Sequence, residues 1–266
     1  MDDLVTLWET PDVDEVYMIA GWNQWADAGA ISSGLPLYLI HKMDAQKIGE
    51  IEDDGFYIFQ IPGTHHFLRP EIQLEDGYRT ALSRPANEFY YAEIDGKGLI
   101  IFIGEEPHLK ADRYTEALLN AVEALNVQRV AAVGGVYGAM PYDHDRDVSC
   151  VYSLPEMKEE LDGYSVRFSN YQGGTTIGTY MVDFAERHGI EFLVFYAFVP
   201  AYNFGEVSDL VQTISIETDF KAWYDLMRRF NHMFQMEFDL TELENQSYEL
   251  VASMDAKIEE IDQQVP

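Results

Sequence analysis

The chain has one cysteine in 266 residues, so no disulfide can form within it. That usage suits a reducing compartment, and the cytoplasm is the expected setting. Basic residues are also scarce: 17 Lys and Arg stand against 47 Asp and Glu, for a net charge of -30. Nucleic acid is excluded as a partner, because neutralising phosphates needs clustered Lys and Arg. Anionic membrane surfaces are excluded for the same reason. Long apolar runs are missing too: stretches such as Leu193–Ala201 are far too short to span a bilayer. The opening residues, MDDLVTLWETPD, are acidic and lack the basic-then-apolar layout of a signal peptide. Absent as well are a Walker motif, a Gly-x-Gly-x-x-Gly run and a Gly-x-Ser-x-Gly nucleophile elbow. No internal repeat or low-complexity segment is visible.

What is present is a core-former's composition, 47% hydrophobic and 14% aromatic, which rules out a disordered chain. The acid is spread along the chain and reads first as a solvated, self-repelling surface. Adaptation to high salt and an acidic face for a basic partner are the other readings. Cys150 lies in the apolar run 148–152 and reads as a buried small hydrophobe.

Periodicity predicts strands over 15–21, 46–52, 56–60, 88–94, 98–103, 129–134 and 191–199. Two hairpins are expected, around Asp53-Asp54-Gly55 and Asp95-Gly96-Lys97. Residues 61–86 read as a long irregular excursion. Helices are predicted over 28–42, with Pro36 as a kink or restart, and over 112–125, 155–161 and 176–188. After Pro200 the chain turns helical, with candidates over 206–220, 222–234 and 242–261. Strand, helix, strand in succession implies an α/β fold with a largely parallel sheet covered on both faces. The expected division is a unit over 1–204 and a helical C-terminal extension over 205–266, packed on it or on a neighbouring subunit.

The segment 134–148, GGVYGAMPYDHDRDV, follows a β-branched run and carries His144 and Arg146. Just past a strand's carboxyl end is where open α/β sheets build ligand sites. Two apart in an extended loop, the two side chains point the same way and can face one ligand, as a base and a charge clamp. The stronger reading is that Arg146 pairs with Asp143, Asp145 or Asp147 in a self-satisfied loop. Gly173, Gly174 and Thr175 precede a helix and can cradle an anion, or form an ordinary helix cap. Asp27 and Glu106 read first as acids at helix entries and second as pocket carboxylates. Trp22 and Tyr202 complete a set of loops expected to converge. His65-His66 diverge and have no third ligand at standard spacing, so no metal site is expected.

Several elements together resemble the PAC2 family, which includes proteasome assembly chaperones. Gly21-Trp22-Asn23 and Asp27-Ala28-Gly29 are similar to the family's Gly-Trp-Asn-Asp-Ala-Gly signature, with three residues inserted. Gly104-Glu105-Glu106-Pro107 is similar to a Gly-x-Glu-Pro element before a long helix. Asp143-His144-Asp145-Arg146-Asp147-Val148 resembles a Pro-His-Thr-Arg-Pro-Val element with its prolines and Thr turned to Asp. Tyr171-Gln172-Gly173 and Val199-Pro200-Ala201-Tyr202 resemble two further elements. The resemblance implies a three-layer αβα sandwich similar to nucleoside phosphorylases and related hydrolases, with a helical C-terminal addition. It implies self-association, as a trimer or larger. Eukaryotic and some archaeal relatives engage the proteasome α-ring, often through a hydrophobic-Tyr-x tail; residues 262–266, DQQVP, lack one, so docking by that route is not expected. A non-enzymatic, homo-oligomeric, assembly-chaperone-like protein with no cofactor is the leading expectation. The alternative is a phosphorylase- or hydrolase-like enzyme acting on a small metabolite at the strand ends.

Overall fold

Short apolar runs rich in Val, Ile and Phe, bounded by Gly and Asp, fold here as strands buried on both faces. The computed structural model describes residues 3–60, 69–203 and 213–264. Its strands are β1 (Val5–Leu7), β2 (Val16–Asn23), β3 (Gln46–Ile51), β4 (Glu71–Glu75), β5 (Tyr78–Ser83), β6 (Glu88–Ile94), β7 (Lys97–Glu105), β8 (Arg129–Gly138), β9 (Val148–Tyr152), β10 (Glu191–Asn203) and β11 (Thr213–Ser215). Its helices are α1 (Ile31–Lys42), α2 (Ala111–Ala124), α3 (Lys158–Leu161), α4 (Ile177–His188), α5 (Phe220–Phe234) and α6 (Thr241–Gln264).

The main sheet runs in the order β1-β3-β6-β7-β2-β8-β10-β11, with β9 also on β10. Pairing is parallel among β7, β2, β8 and β10 and antiparallel on both flanks. The expected parallel character therefore describes the centre of a mixed sheet.

Each central strand sends alternate side chains to opposite faces. Ile19, Ile101, Val133 and Phe195 pack against α1, α5 and α6. Met18, Phe102, Ala132 and Val194 pack against α2 and α4. The sheet is thus flanked by helices on both faces. The rings of Phe195, Phe230 and Phe234 stack in series, so α5 shares its core with the sheet. Burying each such ring is worth about 1.5–3 kcal/mol.

Pro36 neither breaks nor restarts its helix: α1 runs unbroken through it. The Ser32 carbonyl, which a proline cannot bond, packs instead against Gly21, where a Cβ would lie 2.0 Å from that oxygen. Residues 56–60 are not a strand. Phe56 is buried beneath a turn whose Asp53 carboxylate accepts the Gly55 and Phe56 N–H groups, and β3 pairs with β1 and β6 instead. The expected irregular excursion contains the β4–β5 hairpin, turned at Asp76-Gly77 with both φ angles positive. In the helix predicted over 206–220, Thr213–Ser215 is strand and the helix begins at Phe220; residues 204–212 lie outside the described residues. Cys150 is buried in β9, and burial pushes its thiol up to about 12. Among the described residues no helix is long and apolar enough to cross a membrane.

Candidate functional site

The carboxyl ends of β7, β2, β8 and β10 lie together, where open α/β sheets hold ligands in the crevice between neighbouring strands. Here that crevice is filled by the chain itself. Pairing of β2 with β8 stops at Ala20 and Ala132, while β2 stays on β7 as far as Asn23 and Glu105. The loop after β2 folds into the gap: Gly135 N–H donates to the Ala26 carbonyl at 2.9 Å, and Asp27 bridges Gly135. A Cβ on Gly135 would sit 1.9 Å from the Ala28 oxygen, so only glycine admits this loop. The Asp27 carboxylate then closes the start of α1, accepting from Ser32 N at 2.7 Å, Ser33 N at 3.0 Å and Ser33 Oγ at 2.6 Å.

Arg146 is wholly buried and ties three segments together. Its Nε donates to Asp219 Oδ2 at 2.7 Å and its second terminal nitrogen to Asp219 Oδ1 at 3.2 Å. The first terminal nitrogen donates to the carbonyls of Tyr142 and His144 at 2.8 and 2.9 Å, and the backbone N–H to Asp225 Oδ2 at 2.7 Å. Asp219 also caps α5 through Ala222 N and donates its own N–H to the Gly29 carbonyl. The flanking acids are engaged elsewhere: Asp145 with Lys221 and Asp147 with Arg167, each at 2.8 Å. The predicted pairing of Arg146 with its sequence neighbours is therefore corrected to Asp219, 73 residues away. The predicted shared orientation is corrected as well, because the His144 side chain faces solvent. The hydrogen bond from Lys221 holds the Asp145 carboxyl below its ordinary range. Burial pushes Asp225 up, against the pull of the Arg146 N–H.

Glu106 joins two other segments, accepting from Trp25 N at 3.2 Å and from Ile177 N at 3.0 Å. It thereby occupies the start of α4, where an anion would otherwise bind. The cap of that helix is Thr176, whose Oγ1 accepts from Thr179 N, while Gly173, Gly174 and Thr175 are exposed ahead of it. Tyr202 donates to the Met140 carbonyl at 2.6 Å, and its ring meets Tyr142 edge-on. Trp22 is fully buried and donates to Tyr114 Oη at 3.0 Å. Tyr114 in turn donates to Asn87, which also serves Tyr57. Among the described residues, the predicted set is thus spread over separate contacts.

An open cleft lies at this end, about 530 Å³ in volume, lined by Trp25, Arg69, Arg84, Glu105, Glu106 and His108 among others. Burial raises the Glu105 carboxyl above its ordinary value. His108 Nδ1 accepts from Ile58 N at 3.0 Å, so in the neutral ring the other nitrogen carries the proton. Exposed aromatic rings, those of Trp25, Phe59, Tyr137 and Tyr171, are carried by the segments around these strand ends. Among the described residues no three His, Cys, Asp or Glu side chains are grouped to hold a metal ion. His65 and His66 lie outside the described residues.

Sequence reasoning missed Asp219, the Asn87–Tyr114–Tyr57 network and the cleft. An Asp directly ahead of an amphipathic stretch is a cap signal that can locate Asp219. The other two are assembled from segments far apart in sequence and leave no local pattern.

The PAC2 family model matches residues 18–258. Similar solved structures include a proteasome-assembly chaperone homologue of Mycobacterium tuberculosis, 24% identical, TM-score 0.76, over 91% of this chain and 95% of that one. A PAC2 family protein from Streptomyces avermitilis is 22% identical, with TM-score 0.76 and the same coverage, 91% and 95%. An archaeal homologue of proteasome-assembly chaperone from Pyrococcus furiosus is 17% identical, with TM-score 0.61, over 98% and 99%. No protein of curated function matches the chain.

Proposed function

This chain belongs to the PAC2 family, and on that premise we propose that it is a non-enzymatic, assembly-chaperone-like protein that binds other protein subunits. The observation that carries this reading is the state of the strand ends. The crevice between β2 and β8 is filled by residues 26–28, and the Arg146 guanidinium is spent on Asp219. Exposed aromatics at the same end give a protein partner something to grip, since Trp and Tyr serve interfaces well. The relatives described as proteasome-assembly chaperone homologues make a proteasome-type subunit the first client to test. The proposal includes self-association in the cytoplasm, with residues 205–266 as a mainly helical extension that joins the 1–204 unit through β11 and α5.

Native purification from the source cells, followed by mass spectrometry of everything bound, tests the reading. The expected result is a stoichiometric protein partner without a retained metabolite. A tightly held small molecule and no protein would overturn it.

A further inference from the structure

The β4–β5 hairpin is an arm set apart from the main sheet. We propose that the cleft between the base of this arm and the ends of β2 and β7 binds a carboxylate-bearing segment of a client polypeptide. The inference deepens the client binding just proposed and rests on it. Three prolines stand in the walls of the cleft: Pro70 ahead of β4, Pro85 beyond β5 and Pro107 beyond β7. Their fixed φ angles stiffen the walls, so a ligand meets a shape already formed.

What the cleft can take follows from which of its polar groups are already engaged. Both oxygens of Glu106 are held, one by Trp25 N and one by Ile177 N. Burial raises the Glu105 carboxyl, and the Asn23 side chain bonds it. Arg69 is held by Gln60 at 2.6 Å and lies over the Phe59 ring. Arg84 differs. It lines the same cleft, is exposed, and has no ion pair or hydrogen bond among the described residues. Elsewhere on this acidic chain guanidinium groups are captured: Arg113, Arg129, Arg167 and Arg187 each pair with a carboxylate. A planar fork of N–H donors left unengaged fits a carboxylate, which it bonds through two parallel contacts. In the same lining the Trp25 ring is 74% exposed, a flat apolar wall for the next side chain of a peptide.

The sign of the ligand follows from the charge of the whole. A basic segment finds carboxylates over the entire surface and has no need of this cleft. An acidic segment is repelled by the body, but at physiological salt that field is screened beyond about 8 Å. It is held only where an unengaged guanidinium is within reach, as at Arg84. Glu71, the exposed acid of the lining, suits a basic residue beside that carboxylate.

Panning displayed random peptides against the full chain tests this. Two libraries, one with blocked and one with free C-termini, tell a side-chain carboxylate from a chain end. The enriched peptides are expected to carry a carboxylate next to an apolar or aromatic residue. Arg84→Gln is expected to abolish the preference for carboxylates, and Trp25→Ala to weaken retention about tenfold. Arg79→Gln, an exposed guanidinium outside the cleft lining, is expected to change neither. Circular dichroism checks that each variant is folded. An enriched pool that is basic or random, or a carboxylate preference that survives Arg84→Gln, overturns the proposal. In co-purification, Arg84→Gln is expected to release the client. A client that stays bound overturns the cleft and leaves the assembly reading standing. No client on the unmodified chain overturns the assembly reading itself, and panning then judges the cleft alone.

Discussion

Two regions at one end of the molecule, the loop around Arg146 and the β4–β5 arm, use the same residue types to opposite ends. In the loop, Arg146 is buried with its donors shared among Asp219 and two carbonyls, so the guanidinium acts as a fixed joint between β8, α5 and the loop after β2. In the arm, Arg79 and Arg84 stand in solvent beside exposed aliphatics. Burial converts charge into architecture, because an unpaired charge is intolerable there. Exposure leaves charge available for a partner. Function is therefore sought where polar groups remain uncommitted, and at this end that means the arm and the open cleft.

The sharpest way to break this contrast is Arg146→Ala. It strands Asp219 in the core, while the backbone N–H to Asp225 stays, and is expected to cost about 3–5 kcal/mol in denaturant unfolding. A loss below about 1 kcal/mol would mean that the joint is not holding the three segments. Glu106→Ala leaves the Trp25 and Ile177 N–H groups without their acceptor and is expected to cost about 1–3 kcal/mol. Full stability in that variant would place the start of α4 among the free groups instead.

Acidity tests the same joint. Asp225 faces Lys221, Asp145, Arg228 and Arg229, and burial raises its carboxyl. Between the unfolded value near about 3.9 and that raised value, the folded chain holds a proton that the unfolded chain has released. The stabilisation from that proton is complete below the unfolded value and fades as pH rises through the folded one. The wild type is expected to gain on Asp225→Asn as pH falls from neutral towards 4.5, with unfolding curves at both pH values as the measure. Parallel behaviour would show that Asp225 is not desolvated. Asp145 works in the opposite sense: its pairing with Lys221 is lost as pH falls through its lowered value, and its exposure keeps that effect small. The smallest expected change is for His144→Ala, within about 0.5 kcal/mol, although it is two residues from Arg146. A larger loss in thermal melting would place His144 inside the joint.

Much of the fold was legible because strand and helix patterns are local. The runs at 88–94, 98–103 and 191–199 and the helix over 112–125 lie within the observed elements or differ from them by one residue at an end. The β4–β5 hairpin was missed although Asp76-Gly77 is a strong turn pair, because its strands alternate without a buried side. The strand ends were legible as a place and not as a set of contacts. Gly134-Gly135 announces a backbone approached closely, but nothing nearby says that residues 26–28 make the approach. The partner of Arg146 lies beyond any local window, so adjacent acids were the natural but mistaken choice.

The order of strands in the sheet also sets a schedule for synthesis. Strand β2 lies between β7 and β8, yet the chain reaches Asn23 well before Lys97 and completes β8 only at Gly138. At about 5–20 residues per second on the ribosome, β2 waits on the order of ten seconds with both edges bare. The apolar stretch YMIAGW is the segment most open to mispairing during that interval. A protein placed in a family of assembly helpers thus carries, in its central strand, a demand for shelter while it is being made.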